Sequence, residues 1–199
     1  MPDDGLVLGF DTSAAHCAAA LLCGETVLLS RAEEMAKGQA ERLMPLLEEM
    51  LVEAGIGWPD LRRIGVGIGP GNFTGLRISV AAARGLALAL GVPAVGVSGF
   101  EAAALGRERP LTVTLPAPRG QVYLQRFGAQ AAEAPELCPA DLALTETAVH
   151  PGLPAEPLAV AIARIAARRS EGIAERPAPL YIRPADAAPP REAPPPILP

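Results

Sequence analysis

The chain has 199 residues and a formal charge of −5, with 50% hydrophobic and 20% charged residues. That apolar share supports a globular core and excludes disorder of the whole chain, and the acidic balance excludes a self-sufficient basic nucleic-acid binder. Of 22 prolines five precede residue 110 and seventeen lie from 110 onward, whereas of 20 glycines sixteen precede it and four follow. A main glycine-rich lobe is therefore expected over 1–106, a smaller proline-punctuated second lobe over 107–183 and a proline-rich tail over 184–199. Cys17, Cys23 and Cys138 are odd in number and have no close ligand spacing. With no leader sequence before them, they predict free thiols in a cytoplasmic setting. The long uncharged stretch 85–100 is broken by Gly91 and Pro93, too short and interrupted for a membrane span.

Leu6 to Phe10 reads as a strand ending in the polar turn Asp11-Thr12-Ser13. Cys17–Leu22 and Thr26–Ser30 read as two more strands joined at Cys23-Gly24-Glu25, which makes an antiparallel meander. From 40 to 54 the period changes. Leu43, Leu46, Leu47, Met50, Leu51 and Ala54 oppose Glu41, Arg42, Glu48, Glu49 and Glu53, an amphipathic helix closed by Gly55 and started or kinked at Pro45. Ile64–Ile68 is a strand with glycine at alternate positions, followed by the turn Gly69-Pro70-Gly71-Asn72-Phe73-Thr74-Gly75. Thr74 is expected to cap a helix from Gly75 to Leu90 that Gly91 closes. Ala94–Val97 is a further strand, and Ser98 caps a short helix ending at Leu105. Leu111–Leu115 and Gln121–Phe127 are strands, Pro157–Arg169 a last helix and Leu180-Tyr181-Ile182 a closing strand. This order predicts a layered α/β domain, and three leading strands separate it from a doubly wound nucleotide fold.

Few residues offer chemistry. The glycine-rich turn presents backbone N–H groups to an anion at Gly69 and Gly71, yet it lacks the Lys-Ser/Thr pair of a phosphate loop, and a tight turn needs the same glycines. Asp11, with Thr12 and Ser13, either orients a cation or water near a phosphate or forms a solvated turn. Gly75, Ser79, Ala83, Ala87 and Gly91 recur every four residues, a ridge of small side chains that admits either the chain's own sheet or another subunit. Leu76, Val80 and Leu90 widen the apolar area of that helix. His16 and His150 are the only histidines, so no metal site is expected. His16 and Cys17 point to opposite faces of a strand, which argues against a nucleophile–base pair.

Leu8-Gly9-Phe10-Asp11-Thr12-Ser13, Glu41-Arg42-Leu43-Met44-Pro45-Leu46-Leu47 and above all Gly69-Pro70-Gly71-Asn72-Phe73-Thr74-Gly75-Leu76-Arg77 resemble the TsaB family, formerly YeaZ. Arg119-Gly120-Gln121-Val122-Tyr123 and Pro179-Leu180-Tyr181-Ile182-Arg183 are similar to its later segments. The resemblance implies an actin-like ATPase domain of the sugar-kinase and Hsp70 type, ribonuclease H-like, with a reduced second lobe. It also implies a non-catalytic scaffold that binds TsaD and, with the ATPase TsaE, serves threonylcarbamoyl transfer to the adenosine beside the anticodon of tRNAs reading codons that begin with A. ATP then belongs to the assembled complex, this chain binds no cofactor, and tRNA is reached only through the complex. TsaD holds a metal with a histidine pair on its first helix, where this chain has Gly38-Gln39-Ala40-Glu41. Contact with TsaD, or with a second copy in a homodimer, is implied for the first two helices at Leu43, Leu47, Met50, Gly75, Leu76, Ser79, Ala83 and Ala87. The chain departs from the family at Asn72, usually Ser, and at Pro116 and Pro118, usually Asp and Arg. The alternative is an ATP-dependent phosphotransferase or hydrolase of the same superfold using Asp11 and the turn from Gly67 to Gly75. A metalloprotease, an older reading of the family, is opposed by the missing histidine pair.

Overall fold

The computed structural model describes residues 5–143, 148–169 and 176–182, so the expected tail over 184–199 lies outside the described residues. The leading meander is β1 (Leu6–Asp11), β2 (His16–Cys23) and β3 (Thr26–Glu34). After helix α1 (Gln39–Ala54), β4 (Leu61–Gly67) pairs with the free edge of β1 in parallel, and after α2 (Phe73–Leu90), β5 (Ala94–Val97) adds in parallel to β4. The resulting order β3-β2-β1-β4-β5 is the actin-like, ribonuclease H-like arrangement.

Strand alternation sends one residue set to each face of this sheet. Leu8, Phe10, Cys17, Ala19, Leu21, Ile64 and Val66 share a core with Leu43, Leu46, Leu47, Met50 and Leu51 of α1 and Val80 and Ala83 of α2. Val7, Ala18, Ala20, Leu22, Val95 and Val97 share the opposite core with Ala159, Ile162, Ala163 and Ala166 of the last helix, α5 (Ala155–Arg168). That helix sits directly on glycine. A β-carbon at Gly9 would lie 2.7 Å from the Ala163 Cβ, and one at Gly65 would lie 3.0 Å from the Ala166 Cβ. The C-terminal carbonyls of α5, those of Ala166 and Arg169, accept from the Arg63 guanidinium on β4, a cation placed at the negative end of the helix dipole.

A second sheet of order β8-β7-β6-β9 is built from β6 (Leu111–Pro116), β7 (Gln121–Phe127), β8 (Glu136–Pro139) and β9 (Val149–Pro151), with a short α4 (Ala140–Ala143) between the last two. Helix α3 (Gly99–Ala104), capped by Ser98 as expected, covers it through Phe100, Ala103 and Ala104 against Leu111, Val113, Leu115 and Phe127.

Several sequence expectations need correction. Asn72, not Thr74, caps α2: its Oδ1 accepts from the Gly75 N–H at 3.0 Å, and the helix begins at Phe73. Leu180-Tyr181-Ile182 forms no strand; it ties to the first sheet through one backbone bond, Leu180 N–H donating to the Ile68 carbonyl at 2.7 Å. β8, α4 and β9 had no expected counterpart, and Pro45 does not start α1, which already begins at Gln39.

Arg42 on α1 forks onto Glu33 of β3 at 2.6 and 2.7 Å and onto Glu49 at 2.7 Å. Its hydrogen bonds hold both carboxyls below the ordinary glutamate value of 4.5. Because the folded values are depressed, this link contributes fully above the unfolded glutamate range and is lost as pH falls through the lower folded values. Arg42→Met should therefore lower the melting temperature at neutral pH and shrink the further loss between about pH 5 and about pH 3, followed by circular dichroism. An unchanged acid limb would show that the fork adds nothing to stability.

Candidate functional site

The turn after β1, the turn after β4, the start of α1 and the inner side of the second sheet enclose a cleft of about 1360 Å³. Asp11 lies at its floor, 1% exposed. Its Oδ1 accepts three hydrogen bonds, from the Ser13 N–H at 2.9 Å, the Ser13 hydroxyl at 2.8 Å and His16 Nε2 at 2.7 Å. A carboxylate oxygen only accepts, so Nε2 is the donor in that pair. Its Oδ2 fills the space beside Gly67, where a β-carbon would lie 1.9 Å away.

The glycine-rich turn cradles the chain's own backbone. A β-carbon at Gly71 would stand 2.3 Å from the Ser13 carbonyl oxygen, and one at Gly75 would stand 1.9 Å from that of Thr12. The Thr12 hydroxyl donates to the Gly75 carbonyl at 2.7 Å, and the Asn72 N–H donates to the Ser13 carbonyl at 2.6 Å. The Gly69 residue, at φ 95°, turns its carbonyl to the Gly99 N–H at 2.9 Å. Asp11, Thr12, Ser13, Gly69 and Gly71 are thus brought together, but their polar groups largely serve one another. Close backbone approach explains these glycines, since only glycine admits it.

Cys17 is fully buried in the α1–α2 core, and burial above all pushes its thiol up to about 11. Such a thiol supplies almost no thiolate at neutral pH. His150 lies on the second sheet, where its Nδ1 accepts from Arg107 at 3.0 Å. Among the described residues no three His, Cys, Asp or Glu side chains gather to hold a metal.

The implied contact residues are found elsewhere than expected. Leu43, Leu47, Met50, Leu76, Ser79 and Ala83 are at most 1% exposed, and Gly75 is seated on Thr12. These seven serve the chain's own core, and only Ala87 is half-exposed. The first half of the small-residue ridge, Gly75, Ser79 and Ala83, faces inward because Gly75 must meet the first turn and the residues one turn apart follow it, while Ala87 and Gly91 turn outward. What the periodicity missed is the outer surface. Leu88 is 86% and Val52 74% exposed, with Met44 and Phe73 also exposed and Gly85 open. α1 and α2 lie beside each other on one face of the first sheet. The signal was present as apolar residues interrupting the polar sides of two helices. α2 is also the one described helix long and apolar enough to cross a membrane. At its start the Phe73 ring carries the Arg77 guanidinium 3.8 Å from its centre and meets Tyr181 at 5.2 Å.

A β3-β2-β1-β4-β5 sheet packed between helices, with a cleft between it and a second smaller sheet, defines a domain of the actin-like, ribonuclease H-like class. The family model described as TsaD, tRNA N6-adenosine threonylcarbamoyltransferase, matches residues 28–178, and the chain belongs to that family. Its similarities put it with the TsaB (YeaZ) proteins. It is 32% identical to TsaB of Buchnera aphidicola over 123 residues, covering 59% of this chain and 58% of the relative. Against TsaB of Bacillus subtilis it is 37% identical over 120 residues, 59% of this chain and 52% of that one. The chain thus spans little more than half the length of these curated relatives. The solved structure of YeaZ from Pseudomonas aeruginosa superposes with a TM-score of 0.71 at 26% identity, covering 89% of this chain and 99% of that one. Another, described as an uncharacterized Pseudomonas aeruginosa protein with similarity to peptidase YEAZ, gives 0.72 at 28%, covering 90% and 100%.

Two glycines of α2 should behave oppositely. Gly75→Ala drives a methyl into the Thr12 carbonyl and should cost about 2–3 kcal/mol. Gly85→Ala meets nothing within 4 Å and should gain about 0.5–1 kcal/mol from helix propensity. Urea unfolding measures both, and similar effects at the two sites would remove the close-approach argument.

Proposed function

We propose that this chain is a non-catalytic subunit in tRNA threonylcarbamoyladenosine biosynthesis and docks a TsaD-type transferase on the outer surface of α1 and α2. The observation that carries the reading is the high exposure of the large apolar residues Leu88 and Val52 on two helices that pack against each other. Burying each in a partner is worth about 1.5–3 kcal/mol before the cost of association. Glu48 on α1 and Arg84 on α2 are exposed on the same two helices and carry opposite charges, which suits two-fold self-pairing when the transferase is absent. In this reading ATP and TsaE act on the assembled complex, tRNA is engaged chiefly by the partners, and the assembly works in the cytoplasm.

Light scattering behind a sizing column tests this, on the chain alone and mixed with a TsaD-type transferase from the same organism. The wild-type chain should form a one-to-one complex burying on the order of 1,600 Å². Leu88→Arg should leave stability within about 0.5 kcal/mol, because the residue is exposed, and weaken the complex about tenfold or more. Absence of any wild-type complex sinks the function, and a complex indifferent to both Leu88→Arg and Val52→Arg sinks the docking surface.

A further inference from the structure

We propose that His16 is a resident donor to Asp11 that closes the floor of the cleft to a metal-bound polyphosphate, the kind of ligand that actin-like clefts take. Such a ligand makes two demands on a site. Its divalent cation needs a carboxylate oxygen with free lone pairs, and its phosphates need N–H donors or basic side chains. His16 bears on the first of these. Asp11 Oδ1 already takes three donors, and Oδ2 is turned into the space beside Gly67. At the start of α2 the Asn72 N–H is held by Ser13, the Gly75 N–H by Asn72 Oδ1 and the Leu76 N–H by the Asn72 carbonyl at 2.9 Å. Among the described residues Lys37 is the single Lys or Arg lining the cleft, and Glu41 lines it too. The other polar lining, Gln39, Thr74, Thr114, Gln121 and Tyr123, carries no positive charge.

His16 is the part of this arrangement that a substitution can remove without disturbing the turn. The Ser13 bonds are local to the turn, three residues in sequence, whereas the imidazole reaches Asp11 from β2 with its side chain 12% exposed. Taking the ring away returns a lone pair of Oδ1 to the cleft and opens a path to it. The arrangement is independent of docking on α1 and α2, and its test reads the cleft alone.

Isothermal titration with magnesium–ADP is run on the wild-type chain, His16→Ala and His16→Val, the last keeping a side chain suited to a strand. The wild type should show no saturable binding up to about millimolar ligand, and a folded variant should bind about tenfold or more tightly, only with magnesium present. Manganese–ADP added to the unaltered protein supplies a readout that needs no variant, because the His16 ring proton resonances should stay unbroadened. Micromolar binding by the wild type, broadening of His16 by manganese–ADP, or folded variants that bind no better than wild type would each overturn the assignment.

Discussion

Residues 11–13 rest on Gly67, Gly71 and Gly75, through the Asp11 side chain at the first and the backbone of Ser13 and Thr12 at the other two, so closely that none of the three has room for a β-carbon. This contact joins the first strand to the start of the longest helix, and much of the molecule's outward character follows from it. Once Gly75 meets Thr12, the rotation of α2 about its axis is set, because residues four apart share a face. Ser79 and Ala83 are then carried onto the sheet, and Leu88, about 20 Å further along the helix, is carried away from it. The exposed Leu88 and the buried floor of the cleft are two ends of one rigid-body consequence. Asn72 strengthens the joint from both sides, since its side chain closes the helix and its N–H holds the Ser13 carbonyl.

Local chemistry made much of this legible beforehand. Hydrophobic alternation announced the meander, the three-and-four spacing announced α1, and Gly55, Gly91 and Ser98 marked helix ends where the structure has them. What stayed illegible was direction. A helix apolar around much of its circumference carries no sign of which side meets the sheet, so the ridge of small residues read equally well as inward or outward. The burial of Leu43, Leu47 and Met50 shows the same limit, because an apolar stripe reports only that something covers it. The choice between Asn72 and Thr74 as cap turned on a two-residue shift of the helix start, which tertiary contact with Ser13 decides.

The cleft illustrates a second limit. Asp11, Thr12 and Ser13 were recognisable as a polar strand end, and Gly69 and Gly71 as a turn able to meet an anion. That the two would satisfy each other depends on β1 and β4 being parallel neighbours, with Phe10 opposite Val66, a pairing between residues more than fifty positions apart. The role of His16 was similarly hidden. Its partner lies five residues away across a turn, and strand alternation speaks only to its relation with Cys17.

The Ala-rich helix α5 returns from the proline-rich half of the chain to cover Val7, Ala18, Ala20 and Leu22 on the first sheet. The boundary that composition draws near residue 110 is therefore a boundary of amino-acid usage and not a seam along which the molecule comes apart. A fragment ending there would carry the complete meander, α1 and α2, yet the side of its sheet that α5 covers would lose that cover and keep only Ala102 and Leu105 from the α3 region. During synthesis that side waits for residues 155–168, so the part of the chain made first is among the last to be sealed.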